Sequence, residues 1–163
     1  MINKFLKLTH SAEETKLLGL KLARNVEKGE RKKTAQVIFL KGDLGAGKTT
    51  FVLGFLGYFG IKPHSASPTF VIMKRYVFHK KTTNNRQQTT DKNKIGAIYH
   101  LDAYRLRSKK DLNVLGFEEI SSNPKNIILI EWPEKIKGVR STNKISVSFS
   151  YGKKENERII KFN

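Results

Sequence analysis

Cysteine is absent from the 163 residues. That excludes disulfides, thiolate metal sites and cysteine nucleophiles, and it suits a reducing cytosol. Long apolar runs are missing too; none approaches the ~20 residues a membrane span needs. The first fifteen residues hold no apolar block of secretory-signal length and no small-residue cleavage site, so a cytoplasmic location without a membrane partner is expected. Acidic residues are scarce: 14 Asp and Glu stand against 32 Lys and Arg, a formal charge of +18. Such a surplus favours polyanions, whether nucleic acid, nucleotide or an acidic surface. It is also what an AT-rich genome produces by placing Lys wherever a surface tolerates it. The four histidines show no metal-ligand spacing and read as ordinary polar residues.

A chain of this length suits one domain, 1–163. Residues 13–26 repeat apolar side chains at helical spacing (Leu17, Leu18, Leu20, Leu22, Val26), with Thr9 or Ser11 available as a cap. Residues 27–33 read as a polar turn. Residues 35–40, AQVIFL, form a continuous apolar run of strand length, as in a parallel sheet covered on both faces. A second such run, 126–130, ends in Glu131-Trp132-Pro133. Residues 95–101 read as another strand, delivering Asp102. Phe70–Met73 begins a further one. Residues 108–120 hold a short helix and a turn at Gly116, and the C-terminus alternates as an antiparallel hairpin. The expected class is α/β: three layers, a mostly parallel sheet and antiparallel edge strands.

Directly after the first apolar strand stands Gly42-Asp43-Leu44-Gly45-Ala46-Gly47-Lys48-Thr49, a full G-x-x-x-x-G-K-[ST] match followed by Thr50 and a helical pattern. Glycines allow consecutive backbone N–H groups to turn inward and cradle phosphate oxygens. Lys48 can reach the β- and γ-phosphates, and the Thr49 hydroxyl can bind Mg²⁺. The helix N-terminus adds a positive dipole end. Strand, loop and helix together predict a nucleotide phosphate site. A carboxylate closing a buried strand beside such a loop, here Glu131, is where an acid holds Mg²⁺ or its water ligands. Asp102 is left to position the attacking water; the two acids can also be assigned the other way round. Arg105 reads as a surface salt bridge or a transition-state cation. Trp132 is either core or a lid. The base contacts are not legible; His10–Ser11 and Arg158 are the candidates.

The segments GDLGAGKTT, SPTF, YHLDAYRL, LGFEEI and IEWPE occur in this order over about 90 residues. The chain thereby resembles the TsaE family of P-loop ATPases, and the resemblance spans nearly its whole length. It implies ATP and Mg²⁺ as cofactors, and an ATPase subunit of tRNA threonylcarbamoyladenosine biosynthesis working with the TsaB and TsaD proteins. By the same resemblance Lys48 is the phosphate-binding lysine and Thr49 and Glu131 the Mg²⁺ residues. Asp102 is the acid of the H-x-D-x-Y-R-L motif, Thr69 the threonine of the Ser-Pro-Thr segment, and Trp132 the aromatic beside the acid. The departure is residues 74–94, longer and more basic than the family pattern implies. Seven Lys and Arg stand there against one Asp. The stretch is either a solvated insertion or an electrostatic arm toward tRNA. A nucleotide-switched RNA-binding module and a small-molecule kinase use the same loop and stand as rival readings.

Overall fold

The computed structural model describes residues 5–62, 72–77 and 95–163. Thr69, and the basic stretch beyond Val77 up to Lys94, lie outside the described residues. One seven-stranded sheet organises the rest. In chain order the elements are β1 (Phe5–Thr9), α1 (Ala12–Lys28), β2 (Gln36–Lys41), α2 (Lys48–Tyr58), β3 (Met73–Val77), β4 (Ala97–Asp102), α3 (Lys109–Val114), α4 (Phe117–Ser122), β5 (Asn126–Glu131), a 3-10 turn (Pro133–Lys135), β6 (Lys144–Tyr151) and β7 (Arg158–Phe162). The strand order is β1-β7-β6-β2-β5-β4-β3. β6, β2, β5 and β4 pair in parallel, while β3, β7 and β1 pair antiparallel at the two flanks. The expected α/β class and its antiparallel edges are observed.

The continuous apolar runs form the sheet centre, where both faces are covered. All six residues of β5 are buried. Ile38, Leu40, Ile98, Ile127 and Leu129 pack against α1 and α2 on one face. Val37, Phe39, Tyr99, Ile128 and Ile130 pack against Leu112 of α3 and Phe117 of α4 on the other. The layers are therefore helix, sheet, helix.

α1 runs two residues further than its apolar repeat. Ser11 caps it, its hydroxyl accepting from the Glu14 N–H at 3.1 Å. Its buried stripe differs from the expected one. Leu17 and Leu20 are exposed, and the seam consists of Thr15, Gly19, Leu22, Ala23 and Val26. The reason is the closeness of α2. A Cβ on Gly19 would lie 2.1 Å from the Phe51 carbonyl oxygen, and one on Gly54 1.9 Å from that of Lys16. Small residues let the two backbones touch, so larger leucines are displaced to the flanks.

Two elements differ from the sequence reading. Phe5–Thr9 is a strand, held at the sheet edge by β7, with the Phe5 and Phe162 rings stacked at 4.3 Å. Residues 117–122 form a second short helix, entered through Gly116 at φ 70°.

Candidate active site

The loop after β2 bends through three left-handed glycines: Gly42, Gly45 and Gly47, at φ 137°, 74° and 99°. A side chain at Gly42 would collide with the Phe149 carbonyl, 2.2 Å away. The loop is braced from the C-terminal hairpin. The Tyr151 hydroxyl donates to the Leu44 carbonyl, and Arg158 Nε donates to that of Gly45 at 3.3 Å. Ala46 is buried beneath the loop, while Asp43 and Leu44 are exposed on its crest.

α2 starts at Lys48, so its first N–H groups point into the loop. The Lys48 ammonium is buried and donates to the Gly42 and Asp43 carbonyls at 2.6 and 2.8 Å. Burial lowers its pKa, and the carboxylates of Glu131, Glu134, Asp102 and Asp43 oppose that shift. The next residue of the helix, Thr49, faces β5. Its hydroxyl lies 3.1 and 3.2 Å from the two Glu131 carboxylate oxygens and donates to them.

Glu131 ends β5, and the parallel register sets Asp102 of β4 directly opposite. Both acids stand at the carboxyl ends of the central strands, where open α/β sheets bind ligands. Glu131 is only 3% exposed. Asp102 is half-buried, its carboxylate accepting from the Tyr104 N–H at 3.0 Å. Trp132 is neither wholly core nor a detached lid. It adopts φ 58°, unusual for a bulky residue, and this turns its ring over Lys48 Nζ at 3.8 Å. Tyr104 packs edge-on against it at 5.2 Å.

These side chains line a cleft of about 360 Å³ that includes Leu44, Gly45, Gly47, Thr50 and the exposed Arg105. The expected surface salt bridge of Arg105 is not found: among the described residues no ion pair involves it. A second cleft of about 250 Å³ lies across the loop and shares Gly45, Gly47 and Thr50 with the first. Ser11, Thr15, Asn156 and Arg158 line it, so the two places singled out for base contacts converge. His10 approaches the same hairpin, its Nδ1 3.3 Å from a Glu157 carboxylate oxygen.

One residue escaped the sequence reading. His100 is not an ordinary surface histidine. It is 1% exposed, and its Nε2 lies 2.8 Å from Glu131 Oε1. Its sequence signal was its place at the head of the H-x-D-x-Y-R-L motif, two residues before Asp102, to which no role was given.

The residues present suit a nucleotide and a divalent cation. The three positive-φ glycines turn the loop backbone around the Lys48 ammonium, which puts a cation at the loop's centre. Among the described residues no cluster of three His, Asp or Glu could hold a metal ion alone. A hydroxyl beside one carboxylate matches Mg²⁺, which is bound through one or two protein oxygens with substrate phosphates and water.

Fold and loop together define a P-loop protein of the nucleotide-binding α/β class. The comparisons narrow it. The family model for the threonylcarbamoyl adenosine biosynthesis protein TsaE matches residues 9–160. A TsaE of Rickettsia felis is 36% identical over 142 residues, spanning 86% of this chain and 70% of its own. The Bacillus subtilis TsaE is 33% identical over 128 residues, 78% of this chain and 66% of that one. The crystal structure of Bacillus subtilis YdiB superposes with a TM-score of 0.61 at 26% identity, over 99% of this chain and 86% of the other. The chain belongs to the TsaE family, whose role lies in tRNA threonylcarbamoyladenosine biosynthesis. Among the described residues no helix is long and apolar enough to cross a membrane.

Proposed function

We propose that this chain is a cytoplasmic, Mg²⁺-dependent ATP hydrolase that serves threonylcarbamoyladenosine modification of tRNA together with the TsaB–TsaD complex. The observation that carries this is the convergence of Lys48, Thr49 and Glu131 at one loop. The backbone N–H groups of 43–50 and the Lys48 ammonium hold the phosphates. For that, Lys48 exchanges the Gly42 and Asp43 carbonyls for phosphate oxygens, which are stronger, charged acceptors. Thr49 and Glu131 hold Mg²⁺, which screens charge on the phosphates. Asp102, on the same edge and partly open to solvent, orients the attacking water. Trp132 covers the Lys48 side of the cleft and keeps water from the ammonium. Thr69 is assigned to the nucleotide by its motif. The base and ribose take the second cleft, between Ser11, Asn156 and Arg158. Residues 74–94 supply positive charge toward tRNA in the assembled complex.

ATP turnover of the isolated chain, with TsaB–TsaD added, and with tRNA added, tests this reading. Slow hydrolysis alone and faster hydrolysis with TsaB–TsaD are expected, because Arg105, the arginine that lines the first cleft, is exposed and held in place by no ion pair among the described residues. Fast, partner-independent turnover, or transfer of the phosphoryl group to a small metabolite, would indicate a kinase instead. A response to RNA alone would indicate a nucleotide-switched binding module.

A further inference from the structure

We infer that His100 is a positioning residue: its imidazole fixes the orientation of the Glu131 carboxylate for the metal ion that accompanies the nucleotide. This rests on the reading that Thr49 and Glu131 hold Mg²⁺. Glu131 has three rotatable side-chain bonds, and a useful metal-facing carboxylate needs one orientation. Two side chains from two other elements set it. Thr49 comes from α2 and His100 from β4. An ionised carboxylate only accepts hydrogen bonds, so the Nε2 facing Oε1 carries the hydrogen.

The two donors are not equivalent. Thr49 belongs to the loop helix, and its oxygen is itself a metal ligand in this reading. His100 stands behind the carboxylate, away from the cleft, and does not line it. Its side chain is 1% exposed and that of Glu131 4%, so water does not compete for the bond. β4 and β5 pair in parallel, placing His100 opposite Leu129 and two residues before the Asp102–Glu131 pair. Side chains two apart on a strand share a face. One strand thus presents Asp102 at the cleft and His100 behind it, both fixed by the same ladder. Partners of this kind typically change metal affinity 10–100-fold when removed.

Two amides of different reach separate a positioning role from a merely space-filling one. His100→Gln can place its amide nitrogen near the former Nε2. His100→Asn stops about where Nδ1 was and cannot reach Oε1. ATP affinity is measured by calorimetry over a series of Mg²⁺ concentrations and in EDTA, with thermal melts in EDTA to establish folding. The wild-type series comes first: Mg²⁺-independent affinity there would remove the Thr49–Glu131 metal reading itself, before any variant is made. Given a normal wild-type response, His100→Asn should raise the half-saturating Mg²⁺ concentration at least about tenfold, with His100→Gln within about threefold of wild type. ATP affinity in EDTA should match wild type in both. His100→Phe, which fills the space without a donor, replaces the Asn variant should that one not fold, and carries the same expectation. A wild-type Mg²⁺ midpoint in the donor-less variant overturns the inference. So does an equal shift in the Asn and Gln variants, or a fall in EDTA affinity alongside the Mg²⁺ effect.

Discussion

The Lys48 ammonium lies 3.8 Å from the centroid of the Trp132 ring. A cation at that distance from an indole face is attracted to it, by about 0.5–2 kcal/mol depending on desolvation. The contact spans the cleft floor: Lys48 opens α2, while Trp132 follows the last residue of β5.

Trp132 is the single tryptophan of the chain. Its emission therefore reports on the surroundings of this one ring, Lys48 among them. Phosphates at the loop draw Lys48 away from the ring and change its surroundings. Titration with ATP should give a saturable change in tryptophan fluorescence, absent in Lys48→Ala over the same concentrations. An unchanged spectrum under saturating ATP would separate Trp132 from the nucleotide site.

The two acids should give different phenotypes. Glu131→Ala removes a carboxylate that accepts from Thr49 and His100. Its ATP affinity should lose Mg²⁺ dependence, as should that of Thr49→Ala. Asp102→Ala should keep Mg²⁺-dependent binding while hydrolysis falls by about 10²–10⁴-fold, the range for a positioned base or water-orienting group. Calorimetry beside a phosphate-release assay distinguishes them. The opposite pattern would exchange the roles of the two acids.

Helix contact makes a separate demand. A methyl group at Gly54 would meet the Lys16 backbone, whereas one at Gly57 meets nothing within 4 Å. Gly54→Ala should destabilise by about 1–3 kcal/mol through overpacking. Gly57→Ala, in the same helix, should be neutral or stabilise by up to about 1 kcal/mol. Urea unfolding checks both. Equal effects would mean that the seam between α1 and α2 is looser than described.

Glu157 anchors the turn before Arg158. Its carboxylate accepts from the Lys153 and Lys154 N–H groups, each at 3.1 Å. The Lys154 bond is the main reason its pKa falls below the ordinary 4.5, and burial opposes it. The unfolded chain then binds more protons at mildly acid pH, so stability rises with pH in that window. The contribution is complete above 4.5 and is lost as pH falls through the lowered value. Wild type should lead Glu157→Gln in urea stability near neutrality, and the gap should close on acidification below 4.5. A gap that stays constant with pH would mean that the carboxylate's charge plays no part.

How much of this was written in the sequence depends on how far apart the partners stand. The loop from Gly42 to Thr49 is local, and its glycines answer to left-handed turns, so its shape was legible. So was the end of β5, because a buried apolar strand closing in an acid is a short pattern. The bond from His100 to Glu131 was not. It joins residues 31 apart and exists only through the β4–β5 register. The buried stripe of α1 was misread for a similar reason. Periodicity favours its leucines, whereas the close approach of α2 selects Gly19 and Ala23. β1 is five residues at an edge, too short for its alternation to stand out before β7 is there to pair it.

The most direct measurement is a calorimetric titration of the chain with ATP, once with Mg²⁺ and once with EDTA, alongside Lys48→Ala. The site described here requires one ATP per chain and tighter binding with Mg²⁺. Affinity in Lys48→Ala should fall at least about tenfold, since each charge-assisted bond lost is worth about 1.5–3 kcal/mol. No ATP binding by the wild-type chain, or binding indifferent to both Mg²⁺ and Lys48, would contradict it.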